Sequence, residues 1–173
     1  MKQISYVMVK PYFANSKAII DEIKRRLQLS GMKIMDESYI RYDKKRASMH
    51  YSEHIGKSFY PELEDYLTSD KAYGMIVAGE NAIQVIRELM GQTKNPKEGT
   101  VRYDIPKALG IAMRITENVV HSSDSEESAK KEIGIFLQLK KEYSNQQTNN
   151  TAKTNKTKTS GSNFNKCDDD FVL

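Results

Sequence analysis

Four short apolar runs alternate with helical patterns along the chain, and this order limits the possible folds more than any other feature. The runs are rich in β-branched and apolar residues, as strands are. They occupy residues 4–9, 32–42, 72–78 and 118–121. Helical patterns occupy residues 16–29, 44–55, 61–67, 81–90 and 126–137. This order predicts one α+β domain, in which a four-stranded sheet packs against helices.

Capping residues give the predicted helix boundaries. Asn15 or Ser16 is suited to start the first long helix, and Gly31 is suited to end it. Pro61 fits the first turn of the short helix predicted over 61–67. Gly91 is suited to end the helix predicted over 81–90. The stretch 105–113 has room for one extra helical turn.

Composition favours a cytoplasmic protein with anionic ligands. The chain has 173 residues, 38% of them hydrophobic, and no apolar run near the roughly 18 residues that span a bilayer. It begins with a strand-like segment rather than a signal peptide. Its one cysteine, Cys167, permits neither an internal disulfide nor a cysteine metal cage. The net charge of +4 is too small and scattered to indicate nucleic acid.

Composition changes near Tyr143, where Asn, Gln, Thr, Ser and Lys begin to dominate. Such a segment buries too little apolar surface to offset its ordering entropy. We therefore expect a folded domain over 1–142 and a disordered polar tail over 143–173. An alternative for the end of the tail, residues 168–173, is a peptide ligand held by its terminal carboxylate.

The segment Asn118–Ser125 carries the clearest chemical signal. Two β-branched residues precede His121, and a Ser/Asp run that can cap a helix follows it. An imidazole at a strand–helix junction, beside hydroxyls and backbone N–H groups, is well placed to attack a phosphate. The alternative is a histidine that simply packs at the end of a strand.

Several blocks together resemble the nucleoside diphosphate kinase family, in that family's order, over about residues 4–137. The N-x-x-H-x-S-D-S signature of residues 118–125 is highly characteristic of it. The other blocks are Val9-Lys10-Pro11, His50-Tyr51-Ser52-Glu53-His54, Phe59-Tyr60, Arg87, Thr93-Lys94-Asn95-Pro96, Gly99-Thr100-Val101-Arg102 and Ser128-Ala129-Lys130-Lys131-Glu132-Ile133.

The resemblance implies a ferredoxin-like βαββαβ fold with a four-stranded antiparallel sheet and flanking helices. It also implies transfer of the γ-phosphoryl group of a nucleoside triphosphate to His121, and then to a nucleoside diphosphate, in a ping-pong cycle. Magnesium would arrive on the nucleotide phosphates rather than in a protein cage. The family forms tetramers or hexamers, so a homo-oligomer is expected, without membrane or nucleic-acid partners.

For the catalytic residues, the resemblance implies that Glu132 hydrogen-bonds the ring of His121, that Ser123 holds Glu132 in place, and that Tyr51 lies near the histidine. Residue type alone would make Glu132 a solvated helix residue.

The resemblance implies that Arg87, Thr93 and Arg102 hold the phosphates of the nucleotide. It also implies that His54 approaches these phosphates. Guanidinium groups suit phosphate oxygens, although surface arginines are the ordinary interpretation. A lysine at the end of a strand is often simply exposed to solvent. This is the alternative interpretation of Lys10.

For the nucleoside, the resemblance implies that Lys10 and Asn118 hold the sugar hydroxyls, that Phe59 stacks on the base and that Leu63 flanks it. Stacking reads no base edge. Core positions for Phe59 and Leu63 are the alternative.

Four features depart from the family pattern. Tyr12-Phe13 stands where an acidic and a small residue are usual, and Ser122 stands where glycine is usual. The loop from Thr93 to Arg102 is slightly shorter than usual, and the segment 103–117 is longer than usual. Within the longer segment, Ile115 is a candidate apolar contact for the base.

Other functions stay open on residue patterns. His50 and His54 are four residues apart, a spacing that can bind zinc, but no third ligand is evident. The third strand resembles part of an RNA-recognition motif, yet Tyr73 is its only stacking aromatic. A family member retained as an inactive scaffold is the third alternative.

Overall fold

The computed structural model describes residues 1–112 and 114–158, with side chains as far as residue 149. Its strands are β1 (Lys2–Val9), β2 (Lys33–Arg41), β3 (Lys71–Glu80) and β4 (Val120–Ser122). Its helices are α1 (Pro11–Ala14), α2 (Lys17–Leu29), α3 (Lys44–His50), α4 (Tyr60–Thr68), α5 (Ala82–Met90), α6 (Val101–Leu109) and α7 (Glu126–Lys158), with a 3₁₀ turn at Ser52–His54. In this part of the chain no helix combines the length and apolar character that crossing a bilayer requires.

The sheet has the predicted four strands, all antiparallel, in the order β2-β3-β1-β4. Strand β1 pairs with β3 along its whole length, and three of its residues pair with β4 on the other side. The sheet prediction is therefore confirmed, with strand ends within about two residues of the expected positions.

Helices cover both faces of the sheet, which explains the nearly continuous apolar character of β1. Val7 and Val9 face one core cluster, together with residues of α2 and α5. Tyr6 and Met8 face the other cluster, which includes residues of α3, α4 and α7. Alternate residues of a strand point to opposite faces, so a central strand with both faces covered is apolar throughout.

The second core requires a glycine at the centre of β3. A Cβ on Gly74 would lie 2.6 Å from Cδ2 of Phe136 on α7 and 2.8 Å from the hydroxyl oxygen of Tyr6. Because these contacts are too short for any side chain, Gly74 lets α7 pack closely on the sheet. This close packing fixes the position of α7, the helix that carries Glu132.

The predicted helix caps are present, and one helix was not predicted. The hydroxyl oxygen of Ser16 accepts a hydrogen bond from the Ile19 amide at 3.4 Å, and Gly31 follows α2 with a φ of +78°. The unpredicted helix is α1, which begins with Pro11 and buries Phe13. Proline ends the strand ladder as expected, but it also suits a first helical turn.

Helix α6 extends into the predicted insertion, residues 103–117. It is longer than the single helical turn expected within 105–113. Helix α6 starts at Val101, and Gly110 ends it with a φ of +66°. Asp104 accepts hydrogen bonds from the Gly99 amide at 3.0 Å and from Arg26 at 2.7 Å, so its carboxylate anchors the first turn. The last residue of the predicted turn, Met113, lies outside the described residues.

Helix α7 continues past its predicted end near residue 137, as far as Lys158. The backbone over 143–158 is thus helical, which differs from the disordered segment predicted there. No proline or glycine interrupts 135–158, so no residue there breaks the helix, although Asn and Thr are frequent beyond Tyr143. The contacts divide the chain into the units Met1–Tyr143 and Ser144–Leu173. The tail prediction for 159–173, including the peptide-ligand alternative at 168–173, lies outside the described residues.

Candidate functional site

A cavity of about 980 Å³ opens beside β4, and most of the predicted site residues line it. Its floor includes His121 on β4 and Glu132 on α7, and Tyr51 and His54 lie between α3 and α4. The cationic and hydroxyl side chains of its wall are Arg87, Thr93, Lys97, Thr100 and Arg102. A cavity that joins a histidine to several cations suits a phosphorylated ligand.

His121 is held by strand pairing and by a carboxylate. Its backbone lies opposite Met8 of β1. Its Nε2 atom lies 2.9 Å from Oε1 of Glu132, without the alignment of a linear hydrogen bond. The side chain is 17% exposed and lines the cavity, while Nε2 itself is buried. Nδ1 is therefore the ring nitrogen left to face a ligand.

Glu132 is buried, and hydrogen bonds hold it. The hydroxyl of Ser123 donates to Oε2 of Glu132 at 2.6 Å. Ser123 is in turn tied to β1, because its oxygen accepts from the Tyr6 amide at 3.0 Å and its own amide donates to the Tyr6 carbonyl at 3.0 Å. Sheet, serine and glutamate are thus joined by hydrogen bonds, and the glutamate is in close contact with the histidine ring; the hydrogen bond from that ring to Glu132 stays a prediction.

Burial sets the protonation states at this network. Burial, helped by the nearby charges of Lys10 and Arg102, lowers the pKa of His121 to about 3. Burial raises the pKa of Glu132, and His50 and the bond from Ser123 oppose that rise. The imidazole is therefore neutral near pH 7 and keeps a lone pair for nucleophilic attack.

Arg102 is the most deeply held cation in the cavity wall. It donates to the Val120 carbonyl at 2.8 Å and to the Gly91 carbonyl, while its Nε is buried without a partner. Burial lowers its pKa to about 10, so it stays charged near pH 7. An unpaired N–H on a fixed guanidinium is a donor that a phosphate oxygen can fill.

Aromatic rings lead outward from the histidine. The ring of Tyr51 lies 5.6 Å from His121 and stacks on His54 at 5.6 Å. His54 meets the edge of Phe59 at 5.4 Å. Phe59 is 39% exposed, Nζ of Lys57 lies over its ring at 5.8 Å from the centroid, and the residue is outside the cavity wall.

The remaining predicted nucleoside contacts lie away from the cavity wall. Lys10 is buried and donates to the Thr116 carbonyl at 3.4 Å, and burial lowers its pKa to about 7. Asn118 donates to the Ile115 carbonyl at 2.7 Å, and its Oδ1 is buried without a partner. Leu63 is buried in the second core cluster, the alternative that the sequence left open.

The departures from the family pattern fit the local backbone. Ser122 lies in β4 with no positive φ, so this position does not need glycine here. Ile115 is 53% exposed and does not line the cavity. Next to it, Arg114 forms ion pairs with Glu62 at 3.3 Å and Glu117 at 3.6 Å.

Sequence reasoning missed the position of His50. Spacing alone pairs His50 with His54, but helix α3 ends at His50, so the two side chains do not share a helix face. The ring of His50 instead lies 4.5 Å from that of His121, and its Nε2 is 3.9 Å from Glu132. Ser122 and Asp124, which flank the histidine in the motif, also line the cavity and were not predicted as site residues.

The covered sheet does not suit an RNA-recognition module. Met75 is fully buried, and Tyr73 packs against Tyr39 with the ring centroids 4.9 Å apart. Such modules stack bases on an open sheet face, whereas helices cover both faces here.

Comparisons with known proteins agree on one family. Residues 3–142 match the family model described as "Nucleoside diphosphate kinase". The nucleoside diphosphate kinase of Listeria monocytogenes serotype 4b is 41% identical over 136 residues, covering 77% of this chain and 87% of the relative. That of Methanocaldococcus jannaschii is 39% identical over 140 residues, covering 79% and 94%.

Solved structures show the same likeness. A nucleoside diphosphate kinase from Halobacterium salinarum in complex with CDP has a TM-score of 0.69 at 31% identity, covering 79% of this chain and 88% of that one. The apo enzyme from Encephalitozoon cuniculi also has a TM-score of 0.69, at 26% identity, covering 77% and 87%.

Proposed function

The chain belongs to the nucleoside diphosphate kinase family and is a phosphotransferase of that kind, and from this we propose that it works through a phosphohistidine at His121. The observation that carries the proposal is the buried network of Ser123, Glu132 and His121 at the floor of an arginine-lined cavity. The inactive-scaffold alternative is not favoured.

In the first half-reaction, the Nδ1 lone pair of His121 attacks the γ-phosphorus of a nucleoside triphosphate. A P–N bond forms while the bond to the bridging oxygen breaks, and the nucleoside diphosphate leaves with that oxygen. Glu132 faces the opposite nitrogen, so it orients the ring and stabilises the positive charge that develops on it. Ser123 keeps the carboxylate in place.

In the second half-reaction, a terminal phosphate oxygen of another nucleoside diphosphate attacks the phosphorus, and the P–N bond breaks. Arg87, Thr93 and Arg102 hold the phosphates in both directions, and Tyr51 and His54 border the path of the transferred group. Positioning and charge neutralisation are the main requirements of phosphoryl transfer.

At the nucleoside, we propose that Phe59 stacks on the base and that Lys10 and Asn118 hold the sugar. The partly exposed side chain of Phe59 and the unpaired Oδ1 of Asn118 support these roles. Leu63 contributes by packing behind this region rather than through a cavity-lining contact.

Enzymes of this family are kinases that generally need a divalent metal ion, and we propose Mg²⁺ bound to the nucleotide. In the part of the chain with described side chains, no group of three or more carboxylates converges to form an oxygen cage. A metal that arrives on the substrate would neutralise phosphate charge. The cavity carboxylate Asp124 is suited to hold a water of that metal.

A pulse of γ-labelled ATP tests the proposal. Wild-type protein is expected to take up acid-labile, base-stable label that a nucleoside diphosphate removes. The His121→Asn variant is expected to lose the label, whereas His54→Asn, which leaves the nucleophile in place, is expected to accept label at a reduced rate. Label retained in His121→Asn, or no label in wild-type protein that binds ATP, would overturn the phosphohistidine mechanism.

We also propose a cytoplasmic homo-oligomer, a tetramer or a hexamer. The exposed apolar side chains of Ile4, Met35 and Ile115 support self-association. Light scattering during size-exclusion chromatography measures the mass directly. A mass near the 19.8 kDa of one chain would contradict this proposal.

A further inference from the structure

A second histidine lies directly behind His121 and takes no part in the reaction proposed above. His50 is fully buried, and its ring is tilted by 68° to that of His121. Its Nε2 has no hydrogen-bond partner among the residues with described side chains, and the same is true of Nε2 of His121. Two such nitrogens beside one carboxylate require an explanation, since buried polar atoms are normally paired.

The two nitrogens and the carboxylate converge on one point. One ring nitrogen of His50, one ring nitrogen of His121 and a carboxylate oxygen of Glu132 all lie within 4.8 Å of one another. In a tetrahedral Zn²⁺ site with metal–ligand bonds of about 2.0–2.1 Å, the ligand atoms are about 3.3 Å apart. The distances from Oε1 of Glu132, 2.9 Å to His121 and 3.9 Å to His50, lie on either side of that value.

We propose that His50, His121 and Glu132 form a Zn²⁺ site that inhibits phosphoryl transfer. Two imidazoles and one carboxylate are a common zinc ligand set when a water occupies the fourth position. His121 and Glu132 line the cavity and His50 lies behind them, so the proposed site adjoins the cavity on its buried side.

Second contacts already orient two of the three ligands. The Nδ1 atom of His50 lies 3.1 Å from the hydroxyl of Tyr42, which can accept its proton and leave the Nε2 lone pair for a metal. The hydroxyl of Ser123 binds Oε2 of Glu132, and Oε1 is left to face the histidines. These are the contacts that typically support a metal site.

Zinc at this position would block the nucleophile without touching the nucleotide. When Nε2 of His121 binds the metal, the proton of the neutral imidazole resides on Nδ1, which then has no lone pair for phosphorus. This consequence rests on the phosphohistidine mechanism, but the binding itself does not. Mg²⁺ prefers oxygen ligands and would not replace Zn²⁺ here.

Equilibrium dialysis of the full chain against Zn²⁺, and visible absorption after adding Co²⁺, measure the site directly. We expect one equivalent bound and the absorption of tetrahedral Co²⁺. The chain has three histidines, so His54→Gln is a matched control for His50→Gln. His50→Gln is expected to weaken binding at least about tenfold, and His54→Gln to leave it unchanged. Equal binding by wild type and His50→Gln would overturn the site.

Because His50 is fully buried, replacing it also changes the packing of the core. A measurement on the wild-type chain, which avoids this effect, completes the test. Nitrogen NMR of the labelled histidine rings is expected to show Zn²⁺ shifting Nε2 of His50 and His121, and not the ring of His54. A shift at His54 alone, or no saturable binding, would overturn the proposal.

Phosphorylation in the presence of Zn²⁺ tests the inhibitory role. Loss of label at the concentration that fills the site supports it, and undiminished label in zinc-loaded protein overturns it. Absence of label from metal-free protein that still binds Zn²⁺ would instead overturn the phosphohistidine mechanism and leave the metal site standing.

Discussion

The proposed phosphate end of the site, at the cavity, and its proposed nucleoside end, outside the cavity wall, differ in how their side chains are held. At the phosphate end, formed by Arg102, His121, Ser123 and Glu132, each side chain is tied to another element by a hydrogen bond or a close charge contact. At the nucleoside end, formed by Phe59, Asn118 and residues 114–117, the contacts are ring edges, local carbonyl bonds and exposed ion pairs. The side chains proposed for the chemical step are thus held by contacts to other elements, whereas those proposed for the nucleoside have mostly local or exposed contacts.

The strongest test of this contrast is Arg102→Gln. We expect kcat/KM to fall roughly 10²–10³-fold, because a fixed cation that stabilises developing phosphate charge is removed. The Gly91 and Val120 carbonyls also lose donors, so the free energy of unfolding should decrease. Steady-state kinetics and urea unfolding measure both effects.

Arg114→Gln is the matched control, because Arg114 is an exposed cation near the other end. If both arginine variants lose similar activity, the phosphate end is not distinguished by how its side chains are held.

Glu132→Gln is expected to lower kcat about 10- to 100-fold while KM changes little. The amide keeps the shape of the carboxylate but not the charge that stabilises a positive ring. Single-turnover labelling of the enzyme measures the rate of phosphorylation. Ser123→Ala, which removes only the support of Glu132, should have a smaller effect, and the reverse order would contradict the assigned roles.

Phe59→Ala is expected to act mainly on KM for nucleoside diphosphates, raising it roughly 5- to 10-fold. Stacking on an exposed ring contributes about 1 kcal/mol or somewhat more. Because no base edge is read, the increase should be similar for purine and pyrimidine substrates. A loss of kcat at unchanged KM would place Phe59 in the phosphate end instead.

Acid should weaken the phosphate end through His121. The unfolded histidine has a pKa near 6.5, and the folded one has a pKa of about 3, so the unfolded chain binds the extra proton between these values. Its contribution to the unfolding free energy is therefore complete above pH 6.5 and is lost as the pH falls toward 3. Between pH 6.5 and 5 we expect wild type to lose about 1–2 kcal/mol more than His121→Asn in chemical unfolding. Parallel losses in the two proteins would contradict this assignment.

Arg114→Ala should have the smallest effect. Its ion pairs with Glu62 and Glu117 are exposed, so stability should change by less than about 0.5 kcal/mol and kcat/KM by less than about twofold. A large change that depends on the base would show that the segment 114–117 contacts the nucleoside.

The sequence motif brings His121, Ser123 and Glu132 together more directly than it positions the proposed nucleoside residues, and the reason is physical. His121, Ser123 and Glu132 lie on a strand–helix unit whose spacing is local, so a short motif defines their relative positions. The position of Leu63 depends on which side of α4 packs against β1 and α7, which periodicity alone does not decide.

His50 shows the other limit of sequence reasoning. Its spacing from His54 suggested a shared helix face, but helix α3 ends between them and a 3₁₀ turn redirects the chain. Its true neighbours, His121 and Glu132, are more than 70 residues away in sequence. Helix α6 was likewise predicted only in part, because the carboxylate that anchors it bonds to Arg26 on another helix.

The pairing of β4 with β1 also governs when the enzyme becomes active during its own synthesis. Met8 lies opposite His121, so two segments more than 100 residues apart must meet before the nucleophile has its position. Contacts of such long range form late, because the loop between them must close first. A nascent chain that ends before β4 lacks His121 and its pairing with Met8, so we expect such a fragment to transfer no phosphate.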